Sequence, residues 1–199
     1  GDTNAWDGPL VICVTVFGEA PQTGPALRST AKPGDLIFVT GPLGGSLLGR
    51  HLQPQPRIHE AKTLYSLVDR LSLIDLSDGL ASDLTHILEE SGGLGAILDA
   101  DAIPIHPDAL TLSLQDGRSP LDHALTDGED FELCLTVSPS DADRLRNGPV
   151  SLVPVGEITS ESGLRLRLAD GSLRPCELRG FDHLASEGGK VEGTEGGTV

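Results

Sequence analysis

The chain has 199 residues, 38% of them hydrophobic, a formal net charge of −16 at pH 7 and only 3% aromatic residues. It is long enough for one sizeable buried core, while its acidity disfavours nucleic acids and anionic membranes as partners, and its few aromatics disfavour a stacking platform for single strands. No apolar run approaches the ~20 residues that span a bilayer and no charged-then-apolar leader is present, so we expect a cytoplasmic protein.

The first predicted elements are two strands separated by a long loop. Residues 11–17 and 36–40 are apolar and β-branched, and residues 18–33 are rich in Pro, Gly and Thr, which predicts a linker between two structural units. Residues 41–46 follow the second strand with three glycines, a context that suits a phosphate-binding loop. Because the Gly-Lys-Ser/Thr of that loop is missing, a structural turn is the favoured interpretation.

A helix beginning at Pro56 and a strand over residues 71–76 come next. The strand runs directly into Asp75, Ser77 and Asp78, and Gly79 then opens an amphipathic helix. Its apolar positions have the spacing of one helix face: Leu80, Leu84, Ile87 and Leu88.

This strand-to-helix junction has the composition of a magnesium–phosphate site. The unpaired amides of a helix N-terminus favour an anion such as phosphate. Asp75 and Asp78 would repel a polyphosphate unless a hard cation such as Mg²⁺ lay between them, and Ser77 can offer a hydroxyl. The competing interpretation is that Asp78 is only an N-cap. A cap needs one side chain, whereas two acids and a hydroxyl stand within four residues, so function is favoured.

The second half of the chain predicts further strands and helices. We expect strands over residues 94–98, 131–137, 152–158, 164–168 and 173–178, the last three in antiparallel pairs, and helices over 107–114 and 138–146. The acidic turn over residues 127–130 leads into a strand with half-buried alternation, and pattern alone favours a solvated turn there. Helices and strands mixed with hairpins indicate an α+β fold with a mixed sheet. Residues 186–199 are Gly-, Glu- and Ser-rich and are expected to be disordered.

The methionine, cysteine and histidine content indicates whether the chain is a whole protein and whether it binds zinc. The chain has no methionine and three cysteines without Cys-x-x-Cys spacing, and its six histidines lack the spacing of a helical zinc site. We therefore expect buried free thiols and no zinc site. The missing methionine leads us to expect a fragment of a longer protein or a gene whose start was lost.

Seven segments together resemble thiamine-monophosphate kinase, in matching order and spacing from residue 1 to about residue 184. They comprise residues 1–3, 31–35, 50–52, 56–58, 74–80, 128–133 and 180–183. The Asp-x-Ser-Asp junction is shared with related ATP-using synthetases. The Gly-Glu-Asp turn and the aromatic near the C-terminus are not shared with them as a set.

The resemblance implies an ATP- and magnesium-dependent transferase of thiamine biosynthesis, which moves the γ-phosphoryl of ATP onto thiamine monophosphate and gives thiamine diphosphate and ADP. It assigns site residues by position: Gly1, Asp2, Arg28 and Ser77 to ATP, Asp2, Asp75 and Asp78 to several magnesium ions, and Glu129 and Phe181 to the substrate. An aspartate cage aided by an arginine suits phosphoryl transfer, which needs positioning and charge neutralisation more than covalent chemistry.

The resemblance also implies a domain organisation. Residues 1–29 would end an incomplete N-terminal ATP- and magnesium-binding domain, with residues 11–17 as its last strand. Residues 30–185 would form the mixed-sheet C-terminal domain of the aminoimidazole ribonucleotide synthetase-like fold. A homodimer would form through the absent half, and the fragment alone is expected to be inactive or nearly so. One departure from the family is Asp127, which stands where glycine is usual and adds a charge beside the expected substrate site.

Three alternatives remain open at this point. The chain could come from a related synthetase acting in aminoimidazole ribonucleotide or selenophosphate formation, which shares the metal junction but not Glu129 and Phe181. It could be a non-catalytic nucleotide-binding module in which the acids are caps and turns. It could also be only the structural lower half of a domain pair.

Overall fold

The computed structural model describes residues 8–20 and 24–176. Its sheet has seven strands in the spatial order β2-β4-β1-β5-β3-β6-β7. The strands are β1 Leu36–Val39, β2 Leu71–Asp75, β3 Gly95–Asp99, β4 Leu133–Val137, β5 Val153–Thr159, β6 Gly163–Arg167 and β7 Leu173–Pro175. The helices are α1 Ile58–Leu67, α2 Leu80–Glu90, α3 Pro107–Asp116, α4 Pro120–Thr126 and α5 Pro139–Arg146. None of the helices in the described ranges is long and apolar enough to cross a bilayer.

The sheet separates two hydrophobic cores. On one face, α1 and α5 cover alternate residues of β1, β2 and β4, including Phe38, Leu71 and Leu135. On the other face, α2 and α4 pack against the intervening residues, such as Ile37, Ile74 and Cys134. Successive side chains of a strand point to opposite faces of the sheet. Where helices cover both faces, all residues of the strand are therefore expected to be apolar or small.

The central position of β4 explains why its predicted half-burial is wrong. The strand pairs antiparallel with both β2 and β1, and all five of its residues are buried. Cys134 and Thr136, which were predicted to lie on the solvent-facing side of this alternation, lie on the face covered by α2. Their small side chains leave room for the helix.

The α+β class with a mixed sheet is confirmed, since β3 and β6 pair in parallel while the other strand pairs are antiparallel. The predicted pairing of residues 152–158 with 164–168 is wrong, because β3 lies between β5 and β6. Helix α4 was not predicted from the sequence. Residues 94–98, 107–114 and 138–146 were predicted with the observed type and with bounds within two residues.

The predicted strand over residues 11–17 is not formed in the described structure. This segment has no strand pairing, and its large apolar side chains are mostly exposed, for example Val16 at 87% and Phe17 at 92%. A strand needs a neighbour to satisfy its backbone groups, and none lies beside this segment among the described residues. The boundary at residue 30 and the disorder of residues 186–199 stay predictions, because that tail lies outside the described residues.

Candidate phosphate and metal site

The predicted strand-to-helix junction forms as expected. Strand β2 ends at Asp75, whose side chain is exposed, and α2 begins at Leu80 after the turn of Leu76 to Gly79. Gly79 has φ +100°, and a Cβ there would lie 2.8 Å from the carbonyl oxygen of Leu125. Only glycine allows both this backbone conformation and this close approach of α4.

The amides of the turn are held by an acid of α2 itself. One carboxylate oxygen of Asp83 accepts hydrogen bonds from the backbone N–H groups of Ser77 at 2.9 Å and Asp78 at 3.0 Å. Gly79 is the N-cap residue and makes no side-chain cap bond, so the interpretation of Asp78 as a simple N-cap is wrong. The first amides of an α-helix have no acceptor within the helix, so the N-terminus of α2 can offer donors to an anion.

Three side chains at this N-terminus could share a cation. One ligand atom from each of Asp78, Asp83 and His86 lies within 4.8 Å of the others. Burial, together with the nearby charge of Asp78, raises the pKa of Asp83 to about 6, although the two amides that it accepts from oppose this. Asp75 belongs to the same acidic surroundings, and its exposed carboxylate makes no side-chain hydrogen bond within the described part of the chain. Carboxylate oxygens are the donors that Mg²⁺ prefers, so Asp75 and Asp78 fit this ion, whereas one oxygen of Asp83 is already engaged by two amides and the imidazole of His86 suits transition metals better.

The acidic turn over residues 127–132 is pinned to the junction by backbone hydrogen bonds. The amide of Glu129 donates to the carbonyl oxygen of Ser77 at 2.8 Å, and that of Phe131 donates to Leu76 at the same distance. Glu129 and Phe131 have φ +56° and +52°, conformations that are uncommon for residues other than glycine. The half-buried Glu129 side chain makes no hydrogen bond or ion pair within residues 8–20 and 24–176. The structure thus joins two motifs that are fifty residues apart in sequence.

The glycine-rich segment after β1 is a structural turn, as predicted. The amide of Gly44 donates to both carboxylate oxygens of Asp130, at 3.0 and 2.9 Å, and that of Gly45 donates to Asp127 at 3.0 Å. These amides therefore already hold anions that belong to the protein. Burial raises the pKa of Asp130 to about 6, against the opposing effect of Gly44 and the guanidinium of Arg50.

Asp127, the residue that departs from the family pattern, does not place a free charge beside the turn. Its carboxylate is 6% exposed, and it accepts hydrogen bonds from Gly45 and Arg118 and lies 2.8 Å from Nδ1 of His123. The added carboxylate is therefore paired within the protein. Asp127 instead ties α4 to the glycine-rich segment.

A shallow cleft of ≈ 310 Å³ opens next to Asp75. Its lining is mostly apolar and consists of Pro54, Pro56, Arg57, Ile58, Ala61, Asp75, Phe131 and Leu133. The guanidinium of Arg57 is turned towards carboxylates, donating to Glu132 through Nε at 2.9 Å and to Glu60 at 3.3 Å. The cleft therefore offers mostly apolar walls, which suit a planar organic group, with a carboxylate at one edge.

The structure brings together four of the predicted site residues: Asp75, Ser77, Asp78 and Glu129. Arg28 lies elsewhere, because its side chain pairs with Glu90 at 3.5 Å near the C-terminal end of α2. The 11 residues of α2 separate that end from Ser77 by about 15 Å. Gly1, Asp2 and Phe181 lie outside the described residues. Sequence reasoning missed Asp83, although an acid in the first turn of a helix was a signal for interaction with nearby amides.

No protein-family model matches the chain. A thiamine-monophosphate kinase from Rhodopirellula baltica is 42% identical over 185 residues, covering 92% of this chain. The chain is a homologue of the thiamine-monophosphate kinases. The relative from Escherichia coli K12 is 35% identical over 94% of the chain. The chain spans 58% and 63% of these two relatives' own lengths and corresponds to a C-terminal portion of them.

Solved structures agree with this relationship. AaThiL complexed with AMPPCP and TMP superposes with a TM-score of 0.65 at 25% identity, covering 79% of this chain and 54% of that one. Thiamine-monophosphate kinase from Stenotrophomonas maltophilia gives 0.60 at 30% identity, covering 74% and 53%. The hydrogenase maturation protein HypE of E. coli gives 0.65 at 21% identity, covering 79% and 53%, and shows the shared fold alone. The aminoimidazole ribonucleotide synthetase-like fold is thereby confirmed for this thiamine-monophosphate kinase homologue.

Proposed function

We propose that this chain carries the C-terminal part of a thiamine-monophosphate kinase, which transfers the γ-phosphoryl of ATP to thiamine monophosphate. One observation supports this beyond the sequence relationship. The phosphate-binding junction of Asp75, Ser77 and Asp78 and the turn that carries Glu129 are joined by the hydrogen bond from Glu129 to Ser77. A nucleotide phosphate at the first motif and an organic substrate at the second would then be neighbours.

The residues of the junction can each take a distinct part. The N-terminal amides of α2 bind phosphate oxygens, and the Ser77 hydroxyl adds a donor. Asp75 and Asp78 would hold Mg²⁺, with Asp83 and His86 beside them. When bound, Mg²⁺ neutralises charge on the phosphates. Asp2, Gly1 and Arg28 are further proposed ligands of ATP or metal, and the position of Arg28 requires that it bind a part of the nucleotide remote from Ser77.

The reaction needs no base to activate its acceptor. A phosphate oxygen of thiamine monophosphate forms a bond to the γ-phosphorus while the bond from that phosphorus to the β–γ bridging oxygen breaks, giving thiamine diphosphate and ADP. The acceptor is already an anion at neutral pH. Alignment and charge neutralisation are therefore the main tasks of the protein.

The cleft beside Asp75 suits the ring part of the acceptor. Phe131 and Ile58 offer apolar contacts in this cleft, and Glu129 in the adjoining turn gives negative charge that complements a thiazolium cation. Phe181 is proposed to add an aromatic contact. We also propose that the complete protein acts as a homodimer.

The test uses a protein of the relatives' full length. The chain is fused to the part of the R. baltica kinase that precedes the matched residues, and thiamine diphosphate formation is measured by chromatography. Magnesium-dependent formation is expected. Asp75→Asn and Asp78→Asn should each lower kcat by about 100-fold or more, because each removes a charge that offsets phosphate repulsion.

Two controls make a negative result informative. The intact R. baltica kinase reports whether the assay works, and circular dichroism reports whether the fusion is folded. A folded fusion that forms no thiamine diphosphate while the relative does would contradict the proposal. Equal activity with and without Mg²⁺ would contradict the role of the two aspartates.

A further inference from the structure

Asp83 is a buried acid in the first turn of α2 that pairs with no lysine or arginine among the described residues, and His86 is its nearest basic neighbour in the acidic cluster. Its residue exposure is 2%, and its described hydrogen-bond donors are the amides of Ser77 and Asp78. The neighbouring charges of Asp78 and Asp75 oppose its ionisation. A buried carboxylate among other carboxylates is unfavourable for stability, so a purely structural explanation of this residue is weak.

The geometry of its contacts indicates what Asp83 does. Both hydrogen bonds converge on a single oxygen, and both come from consecutive residues, Ser77 and Asp78, in the middle of the four-residue turn between β2 and α2. Those residues carry the Ser77 hydroxyl and the Asp78 carboxylate. The opposite side of this turn is fixed by Glu129, whose amide donates to the Ser77 carbonyl.

We propose that Asp83 is a positioning residue, which holds the backbone of Ser77 and Asp78 so that their side chains face the phosphate and metal site. The role in the reaction rests on the proposed function, whereas the role in holding the turn does not. Asp83 acts here as a hydrogen-bond acceptor, and its charge is not required. An amide oxygen at the same place can accept both bonds.

Asp83→Asn and Asp83→Ala separate this role from the others. Amide hydrogen exchange at Ser77 and Asp78 is measured by NMR in the chain itself, with β4 amides as the internal reference. Kinase activity is measured in the fusion protein over a range of Mg²⁺ and ATP concentrations. Asp83→Ala should exchange at these two amides at least 10-fold faster and lose at least 10-fold in kcat/KM for MgATP. Asp83→Asn should stay within about 3-fold of the parent in both measurements.

Asp141 provides the matched control. It is also a buried acid in the first turn of a helix, where it accepts a hydrogen bond from the Ser138 hydroxyl at 2.8 Å, and α5 packs on the opposite face of the sheet. Asp141→Ala should leave amide exchange at Ser77 and Asp78 unchanged relative to the β4 reference, and faster exchange there in this variant would show that the effect is not specific to Asp83.

Each remaining outcome overturns the inference or supports it. If Asp83→Asn loses activity as Asp83→Ala does and needs more Mg²⁺, Asp83 is a metal ligand and the inference is wrong. If Asp83→Ala leaves both amide exchange and activity unchanged, Asp83 does not hold the backbone of Ser77 and Asp78, and the inference is wrong. If the parent fusion is inactive, the proposed function fails, and hydrogen exchange alone still decides whether Asp83 holds the turn.

Discussion

The backbone N–H of Glu129 donates a hydrogen bond to the carbonyl oxygen of Ser77 at 2.8 Å, and this bond joins the two functional motifs of the chain. This hydrogen bond depends on a close approach of the two turns at Gly128. Gly128 has φ +71°, and a Cβ there would lie 2.5 Å from the same Ser77 oxygen. The two turns can approach each other because this position carries no side chain.

Gly128→Ala should therefore separate the two turns. We expect a loss of roughly 2–4 kcal/mol in the free energy of unfolding, from the left-handed conformation and the steric clash together. Activity of the fusion should fall at least 10-fold at a temperature where the variant is folded, since displacement of the turn alters the alignment of the reactants. Urea unfolding and the kinase assay measure the two effects.

Gly117→Ala is the control for this substitution. Gly117 has a similar φ of +76°, but a Cβ there would meet nothing within 4 Å. It should cost only about 1 kcal/mol from backbone conformation, and activity should be unchanged. Equal losses of stability in the two variants would show that the clash at Ser77 does not matter.

Helix α2 and the junction before it were predictable because their signals are local. The apolar spacing of Leu80, Leu84, Ile87 and Leu88 is present in the sequence, and all four are buried. Helix α4 was missed although Ser119, Pro120 and Asp122 provide the same start signal as Ser138, Pro139 and Asp141 before α5. Its seven residues are too few to show apolar periodicity.

Strand pairing and the geometry of the site could not be predicted from local sequence patterns. Strands β5 and β6 are neighbours in sequence, which favours a hairpin, yet β3 pairs between them from sixty residues away. The apolar spacing of α2 predicts Asp83 on the polar, exposed face of the helix. In the structure the turn before α2 folds over this residue and buries it, and no local sequence pattern predicts that contact. The contact between Glu129 and Ser77 likewise depends on tertiary structure and has no sequence signature.

Removal of Arg57 should destabilise the fold by leaving a buried carboxylate without its cation. Glu132 is 7% exposed and accepts from Nε of Arg57 at 2.9 Å, with Thr40 as its other side-chain partner. Arg57→Ala should lower the free energy of unfolding by about 2–3 kcal/mol, as measured by urea denaturation. Arg146→Ala breaks an exposed pair with Asp143 and should cost less than about 0.5 kcal/mol. A loss at Arg57 no larger than at Arg146 would contradict the importance of this pair.

The buried carboxyl of Asp130 should make stability depend on pH in a defined direction. Its pKa is raised from 3.8 to about 6 in the folded protein, chiefly by burial. The folded state therefore binds the proton more tightly than the unfolded state, and the stability gained from this proton is complete below pH 3.8 and lost as pH rises through about 6.

Asp130→Asn removes this titration while leaving the other groups in place. Relative to the variant, the parent should lose up to about 3 kcal/mol of unfolding free energy between about pH 4 and about pH 7. Urea unfolding of both proteins across this range measures the difference, in which all shared titrations cancel. A difference that is constant with pH, or one that favours the parent at higher pH, would contradict the raised pKa.

Phe131 should determine affinity for the organic acceptor without affecting the nucleotide. Its ring lines the cleft beside Asp75, and its amide is held by Leu76 at 2.8 Å, so truncation of the side chain leaves the backbone bond intact. Alanine is subject to nearly the same restriction at φ +52° as phenylalanine, which keeps the backbone strain comparable. In the fusion protein, Phe131→Ala should raise KM for thiamine monophosphate by about 10-fold and leave KM for ATP within about 2-fold. Leu114→Ala, at a side chain that is 90% exposed on α3, is the control and should change neither constant.

The two KM values of Phe131→Ala also decide which ligand the cleft binds. If KM for ATP rises and KM for thiamine monophosphate does not, the cleft binds the nucleotide base, and its assignment to the acceptor is wrong.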